Sequence, residues 1–385
     1  MLTDKTGMMR AKQRRNRVRG LLLAGTVMLT GCGKFFVPPD NSGGGGGGGT
    51  TTARVYVANA TTNTIAGFSI GQAKLTAVPN SPVSLGFIPV DAVVSPNNAF
   101  LYVAGPASIS VYAINTDGSL TAQNNGVVIS VSSLDVSPDG RWLFGLDVGQ
   151  NLVDVFQIDT SSGGLTPIAN PNASYPALTG TIIPRMLKVS PKGDLVFCAL
   201  DNGGERVFTF DTTSGTLTYT QALTFNNSTS AANALAVDST GSYLYVARSG
   251  TNGGVGVYSI GAGGALNSVA GSPFAAGNRP FSIVLDKTGK YLYVGNRTDS
   301  TISAYSIGTG SALTAITDSP FSSGQQVISL GVDPGGKYLL AGANNGSPDL
   351  SMYSFDAATP GKLKLATSVA TDTDPAGVVA IAVTH

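Results

Sequence analysis

The stretch KYLYVGNRTDSTISAYSI, Lys290 to Ile307, decides how the chain is read. Two segments of alternating residues, rich in Tyr, Val and Ile, flank a short polar loop that carries Arg297. Period-two alternation with aromatic and β-branched residues predicts strands rather than helices. By itself this is one strand-turn-strand, and its arginine reads equally well as a functional group or as an incidental loop residue. Recurrence settles the architecture.

The first of these strands returns along the whole chain. VYVAN begins at Val55, LYVAG at Leu101, LFGLD at Leu143, VFCAL at Val196, LYVAR at Leu244, LYVGN at Leu292 and LLAGA at Leu339. With Tyr56, Tyr102, Phe144, Phe197, Tyr245, Tyr293 and Leu340 as markers, the spacings are 46, 42, 53, 48, 48 and 47 residues. Such a period announces a repeat architecture. An aromatic follows each marker by ten to thirteen residues: Phe68, Tyr112, Phe156, Phe208, Tyr258, Tyr305 and Tyr353. Before most markers an apolar strand ends in a turn sequence such as LDVSPDG, LAVDSTG, IVLDKTG or LGVDPGG, so Asp139, Asp238, Asp286 and Asp333 are expected to be turn formers. A weaker fourth strand follows, as in GTLTY at Gly215 and SALTA at Ser311. Four antiparallel strands per unit make a propeller blade. The expected fold is therefore all-β, a seven-bladed propeller over residues 53–385. Its first unit lacks an innermost strand, and the apolar tail AGVVAIAVTH, Ala376 to His385, is expected to supply it and close the ring.

The start of the chain reads as a sorting signal. Lys5, Arg10, Lys12, Arg14, Arg15, Arg17 and Arg19 precede the apolar run LLLAGTVMLTG, which is too short to span a bilayer. The run ends in Leu29-Thr30-Gly31-Cys32, a sequence similar to a bacterial lipobox, in which the Cys32 thiol takes the lipid. Residues 1–31 are thus expected to be a lipoprotein signal, and the Arg14-Arg15 pair leaves general or twin-arginine export open. Residues 32–52 hold the lipidated cysteine and a linker with seven consecutive glycines, Gly43 to Gly49. Such a tether reaches roughly 25 Å as a random coil. The expected location is the cell envelope, with the membrane engaged through the lipid alone. Removing seven of 23 basic and one of 22 acidic residues leaves 16 against 21, a net charge of −5. With no basic cluster, nucleic-acid binding is not expected. Cys198 is left without an intramolecular partner and reads as a small buried hydrophobe.

The YVAN and YVGN strands, with Ser272-Pro273-Phe274 and Ser319-Pro320-Phe321, resemble the seven-bladed lactonase propellers. That family includes 6-phosphogluconolactonase-like and muconate-cycloisomerase-like enzymes and is related to YVTN-repeat surface proteins. The resemblance covers essentially all of residues 53–385. A single tryptophan excludes a WD-type or tryptophan-docking array.

In a propeller, the loops leading into the first strand and those joining strands two and three open on one face, where a ligand is expected. Aligning the units shows where one departs from the rest. At the lead-in to the innermost strand stand Val90, Ser132, Arg185, Asn233, Phe281 and Ile328, with Arg185 the only charge. At the start of the third strand stand Ile65, Ile109, Val153, Glu205, Val255, Ile302 and Leu350, and Glu205 is the only glutamate in the chain. Asp201 closes the second strand of the same blade. The resemblance implies a Pro-Arg-His at this lead-in and an Asn-Glu-Leu after the second strand. This chain has Pro184-Arg185-Met186 and Leu200-Asp201-Asn202, so the arginine is kept, the glutamate is shortened and the histidine is replaced. A second element of the family is present as Asn296-Arg297, without the histidine that usually follows it.

Asp201, Glu205 and Arg185 are accordingly the catalytic candidates. Arg297, Asn296, Arg279 and Arg248 are the ligand-binding candidates. Lactone hydrolysis needs a base to activate water and positive charge for the oxyanion. Three readings stand: a binding module whose cationic channel mouth takes an anionic small molecule or acidic peptide terminus, a sugar-lactone hydrolase, and a structural envelope protein. No cofactor or metal is expected. Asp372 and Asp374 read as a solvated turn rather than a calcium site. Oligomeric state is not legible.

Overall fold

The computed structural model describes residues 52–170, 173–178, 182–225 and 229–385. The leader, Cys32 and the glycine run lie outside the described residues. Among the described residues no helix is long and apolar enough to cross a membrane.

The chain forms seven antiparallel sheets of four strands, consecutive in sequence in all but the first, and two carry a short extra edge strand. The innermost strands are Val378–Val383, Asp91–Val94, Val131–Val136, Met186–Val189, Ala231–Val237, Pro280–Leu285 and Val327–Val332, for blades one to seven. They neighbour one another in this order, and the seventh returns to the first, so the ring is closed. Closure runs as the repeat arithmetic requires. Val378–Val383 pairs antiparallel with Arg54–Asn59, Val57 facing Ile381 and Tyr56 facing Ala382.

The repeated residues earn their place in packing. Tyr56, Tyr245 and Tyr293 are fully buried, and each hydroxyl reaches the outer turn of the next blade. Tyr56 donates to the Gly118 carbonyl and Tyr293 to the Gly361 carbonyl, both at 2.9 Å, while Tyr245 meets the Ser311 hydroxyl. The turn aspartates behave as expected. Asp286 Oδ1 accepts the Lys290 and Tyr291 amides, and Asp333 Oδ1 accepts those of Lys337 and Tyr338. In the Ser-Pro elements the hydroxyls of Ser272 and Ser319 accept the Val257 and Ala304 amides and close the outer side of the third strand.

Innermost strands have no neighbour on the channel side, so their inward amides need other acceptors. Side chains of the preceding blade supply them. The Leu134 amide donates to Asp91 Oδ2, the Val189 amide to Asp135 Oδ2, and the Ile381 amide to Ser329 Oγ. Seven apolar clusters fill the spaces between sheets, and Cys198 lies fully buried in one of them, where burial pushes its thiol pKa up. At the channel end away from the lead-in loops, His385 Nε2 lies 3.2 Å from the Val94 carbonyl, and burial lowers its pKa. Asp372 and Asp374 accept hydroxyls of Thr64 and Ser347, and no group of three or more metal-ligating side chains occurs among the described residues.

Candidate functional site

The channel through the ring encloses about 550 Å³ and is lined at its mouth by Val379, Val90, Ser132, Arg185, Asn233, Phe281 and Ile328. These seven occupy the same repeat position, one per blade. Arg185 is the only charged member and Phe281 the only aromatic one.

Phe281 organises the mouth. Three guanidinium carbons stand over its ring: Arg297 at 5.0 Å, Arg185 at 5.5 Å and Arg279 at 5.8 Å from the centroid. They come from blade four and from two loops of blade six. The negative face of an aromatic ring attracts a cation within about 6 Å, by about 0.5–1 kcal/mol when exposed. The two loops of blade six are fastened to each other. The Arg297 amide donates to the Arg279 carbonyl, and Asp299 Oδ2 accepts the Asn278 amide. Arg279 itself has a left-handed backbone, φ 59°, which turns it out to solvent at the rim. Arg297 donates through Nη2 to Gln326 Oε1 at 3.1 Å.

Charge at the mouth is not balanced. Arg185 donates through Nε and Nη2 to Asp201 Oδ2, a partly buried ion pair. Asp201, left-handed at φ 52°, is held by reciprocal backbone bonds with Ala232 of blade five. Arg279 and Arg297 have no carboxylate within ion-pair distance among the described residues. Accordingly the Arg297 pKa is lowered, by burial first and then by the positive charges of Arg279 and Arg185. An anion entering here would relieve that repulsion.

Three sequence-based expectations are corrected. Glu205 does not face the mouth; it is fully buried between blades four and five. Its Oε1 accepts Nε and Nη2 of Arg248 at 2.9 and 2.6 Å, whereas Arg206 donates to the Gly203 and Glu205 carbonyls. Burial pushes the Glu205 carboxyl up, against the pull of Arg248. Arg248 is likewise engaged inside the blade interface. Its guanidinium is stacked between Phe225 and Tyr258, 4.9 and 5.1 Å from their centroids, and two of its donors are spent on Glu205. Asn296 is fully buried as well. It donates to Thr301 and Ser303 and accepts the Gly277 amide, so it positions the Arg279 loop instead of meeting a ligand.

Met186, where the family pattern has histidine, accepts the Leu235 amide through Sδ at 3.2 Å and is part of the channel wall. Phe281 and Gln326 escaped notice as site residues. The signal for Phe281 was present, since it is the one aromatic among the seven lead-in positions. Gln326 gave none.

Comparison with known proteins places this geometry in a family. The family model for the lactonase seven-bladed β-propeller matches residues 126–231 and 266–380, more than half of the chain. No curated protein sequence matches it. Among solved structures, a candidate 6-phosphogluconolactonase of Bacteroides uniformis superposes with a TM-score of 0.71 at 18% identity, covering 87% of this chain and 100% of that one. The periplasmic gluconolactonase of Pseudomonas aeruginosa gives 0.65 at 17% identity, over 86% of this chain and 99% of its own. Hydrazine synthase of Kuenenia stuttgartiensis gives 0.58 at 19% identity, over 78% and 94% of the two chains. At these identities the superpositions speak for the fold alone, whereas the family model is matched by the sequence itself: the chain belongs to the lactonase seven-bladed β-propeller family.

Proposed function

We propose that the chain is an exported, lipid-anchored ligand-binding propeller whose channel mouth captures an anionic small molecule. The observation that carries this reading is the gathering of Arg185, Arg279 and Arg297 over Phe281, two of them without a carboxylate partner among the described residues. Guanidinium groups present paired donors that match a carboxylate or phosphate edge. The arrangement is also preorganised, because Asn296, Asp299 and Gln326 hold the loops and side chains before any ligand arrives. Export and anchoring rest on the basic-apolar leader and Leu29-Thr30-Gly31-Cys32. The periplasmic relative in Pseudomonas aeruginosa is in keeping with them.

Family membership and the Arg185–Asp201 pair favour a second reading, hydrolysis of a sugar lactone. In that reaction Asp201 would take a proton from the water that adds to the lactone carbonyl, and Arg185 with Arg297 would stabilise the oxyanion. Against it, Asp201 Oδ2 already receives both Arg185 donors. Glu205, the other candidate base, lies away from the mouth.

One assay separates the two. The full chain is titrated calorimetrically with gluconate and tested for hydrolysis of a panel of aldonolactones. The binding reading expects saturable, salt-sensitive uptake of gluconate with lactone hydrolysis at the buffer rate. Hydrolysis above buffer that disappears in Asp201→Asn would replace it by the enzyme reading.

A further inference from the structure

The mouth is two-sided. Among the described residues, six large apolar side chains are exposed, and five of them lie on the face that carries the arginines: Ile88, Val90, Val128, Val148 and Ile183, between 36% and 91% exposed. They come from the lead-in loops of blades two, three and four and from the loop joining strands two and three of blade three. Val148 and the lead-in of blade three are tied together, since the Val148 amide donates to the Ser130 carbonyl. The loops of blades two and three on this face, residues 85–90, 105–108, 128–130 and 148–152, contain no charged residue. Solvent-facing loops are ordinarily polar, and scattered exposed apolar residues need no explanation, but five on the one face that carries a ligand site do.

The arginines occupy the other part of the same circle, on blades four and six. Between the two halves the channel rim itself is apolar, through Ile328, Val379 and Val90 of blades seven, one and two. A small hydroxylated acid would use the cationic half and leave the apolar half wet. We infer that the ligand of this mouth is an anionic amphiphile, a free carboxylate-bearing molecule with an aliphatic body, its head on Arg185, Arg279 and Arg297 and its chain laid across Val90 toward Ile88, Val128 and Val148. The inference rests on the anion-binding reading and adds to it the chemistry of the rest of the ligand. Charge complementarity fixes the sign of the head, and the uncharged crescent fixes the nature of the body.

The test is a calorimetric titration of the full chain with butanoate, hexanoate, octanoate and decanoate, each kept below its micelle concentration. Full burial of a methylene gives about four-fold in affinity, so a chain with one side on the rim gains about two-fold per methylene. Decanoate is then expected to bind about sixty-fold more tightly than butanoate. Arg297→Ala is expected to weaken every member by the same factor. Val128→Asn with Val148→Asn, both at exposed positions, is expected to lower the gain per methylene. A series with no dependence on chain length, while gluconate and butanoate still need Arg297, would overturn the amphiphile and leave the anion site standing. Decanol binding as tightly as decanoate, or adsorption to phosphatidylcholine–phosphatidylglycerol vesicles without uptake of free decanoate, would also overturn the amphiphile. If no anion binds at all, the anion site fails and the amphiphile with it.

Discussion

Two arginine–carboxylate pairs stand within one blade of each other and do opposite things. Arg185 and Asp201 sit partly buried at the channel mouth, beside two further guanidiniums that have no carboxylate partner among the described residues. Arg248 and Glu205 meet between blades four and five, the carboxylate fully buried and the guanidinium nearly so, and Glu205 Oε2 has no hydrogen-bond partner among the described residues. Both pairs break the repeat, and on that ground alone they look alike. Surroundings separate them. The first leaves positive charge facing a cavity, where it can meet a solute. The second spends its charge internally and couples blade to blade. Departure from a repeat marks where sequence was altered, and only exposure tells whether a ligand or a neighbour is the reason.

The comparison presupposes a closed ring, and breaking the ring gives the largest effect. Deleting Ala376–His385 removes the strand that faces Arg54–Asn59 and lines the channel. Loss of the cooperative thermal transition is expected, and a truncated chain that still melts cooperatively would contradict the closure. Next comes the buried pair. Glu205→Ala leaves the Arg248 guanidinium buried without its carboxylate, at a cost of about 3–5 kcal/mol. That lowers Tm by roughly 5–10 °C. Replacing both, Glu205→Leu with Arg248→Met, restores an aliphatic of the kind the other blades have there. Its stability is expected within about 1 kcal/mol of the parent or above it, read by thermal melting.

At the mouth the order of effects reverses. Arg297→Ala changes stability by less than about 1 kcal/mol, since the side chain has no ion-pair partner to strand. It should weaken anion binding about ten- to hundred-fold, the loss of one charged hydrogen bond. A pH slope is expected as well. Burial first, offset in part by the Leu134 and Ala92 amides, pushes the Asp91 carboxyl up to about 6. The folded state therefore keeps this proton where the unfolded chain has lost it, so Asp91's contribution is full at low pH and fades as pH rises toward 6. Tm measured against pH should carry a falling component across that window, and Asp91→Asn should reduce it, leaving the part due to Asp154, whose carboxyl burial pushes up to about 7.

Much of this was legible in sequence, for definite reasons. A residue repeated seven times at near-constant spacing averages out local ambiguity, which is why the tyrosine markers, the turn aspartates and the tail strand were placed correctly. Arg185 was legible because the lead-in position lines a channel in every blade. Glu205 was misplaced although its column already held the answer. Ile65, Ile302 and Leu350 at the same position are fully buried, and an aliphatic residue in every other blade marks a position inside the core. Arg248 shares its column with Asn59 and Asn296, both buried. What sequence did not supply is convergence in space. Arg279 and Arg297, from two loops of blade six that are bonded to each other, meet Arg185 of blade four on Phe281, a fact of loop geometry that no spacing encodes.

The division proposed here, in which the arginines of the mouth bind the anion and the buried Arg248–Glu205 pair serves structure alone, is decided by titrating gluconate into the wild-type chain, Arg297→Ala and the double variant Glu205→Leu with Arg248→Met, side by side. The expected result is affinity lost by about ten-fold or more in Arg297→Ala and unchanged in the double variant. Unchanged affinity in Arg297→Ala, or affinity lost in a double variant that melts like the parent, would contradict it.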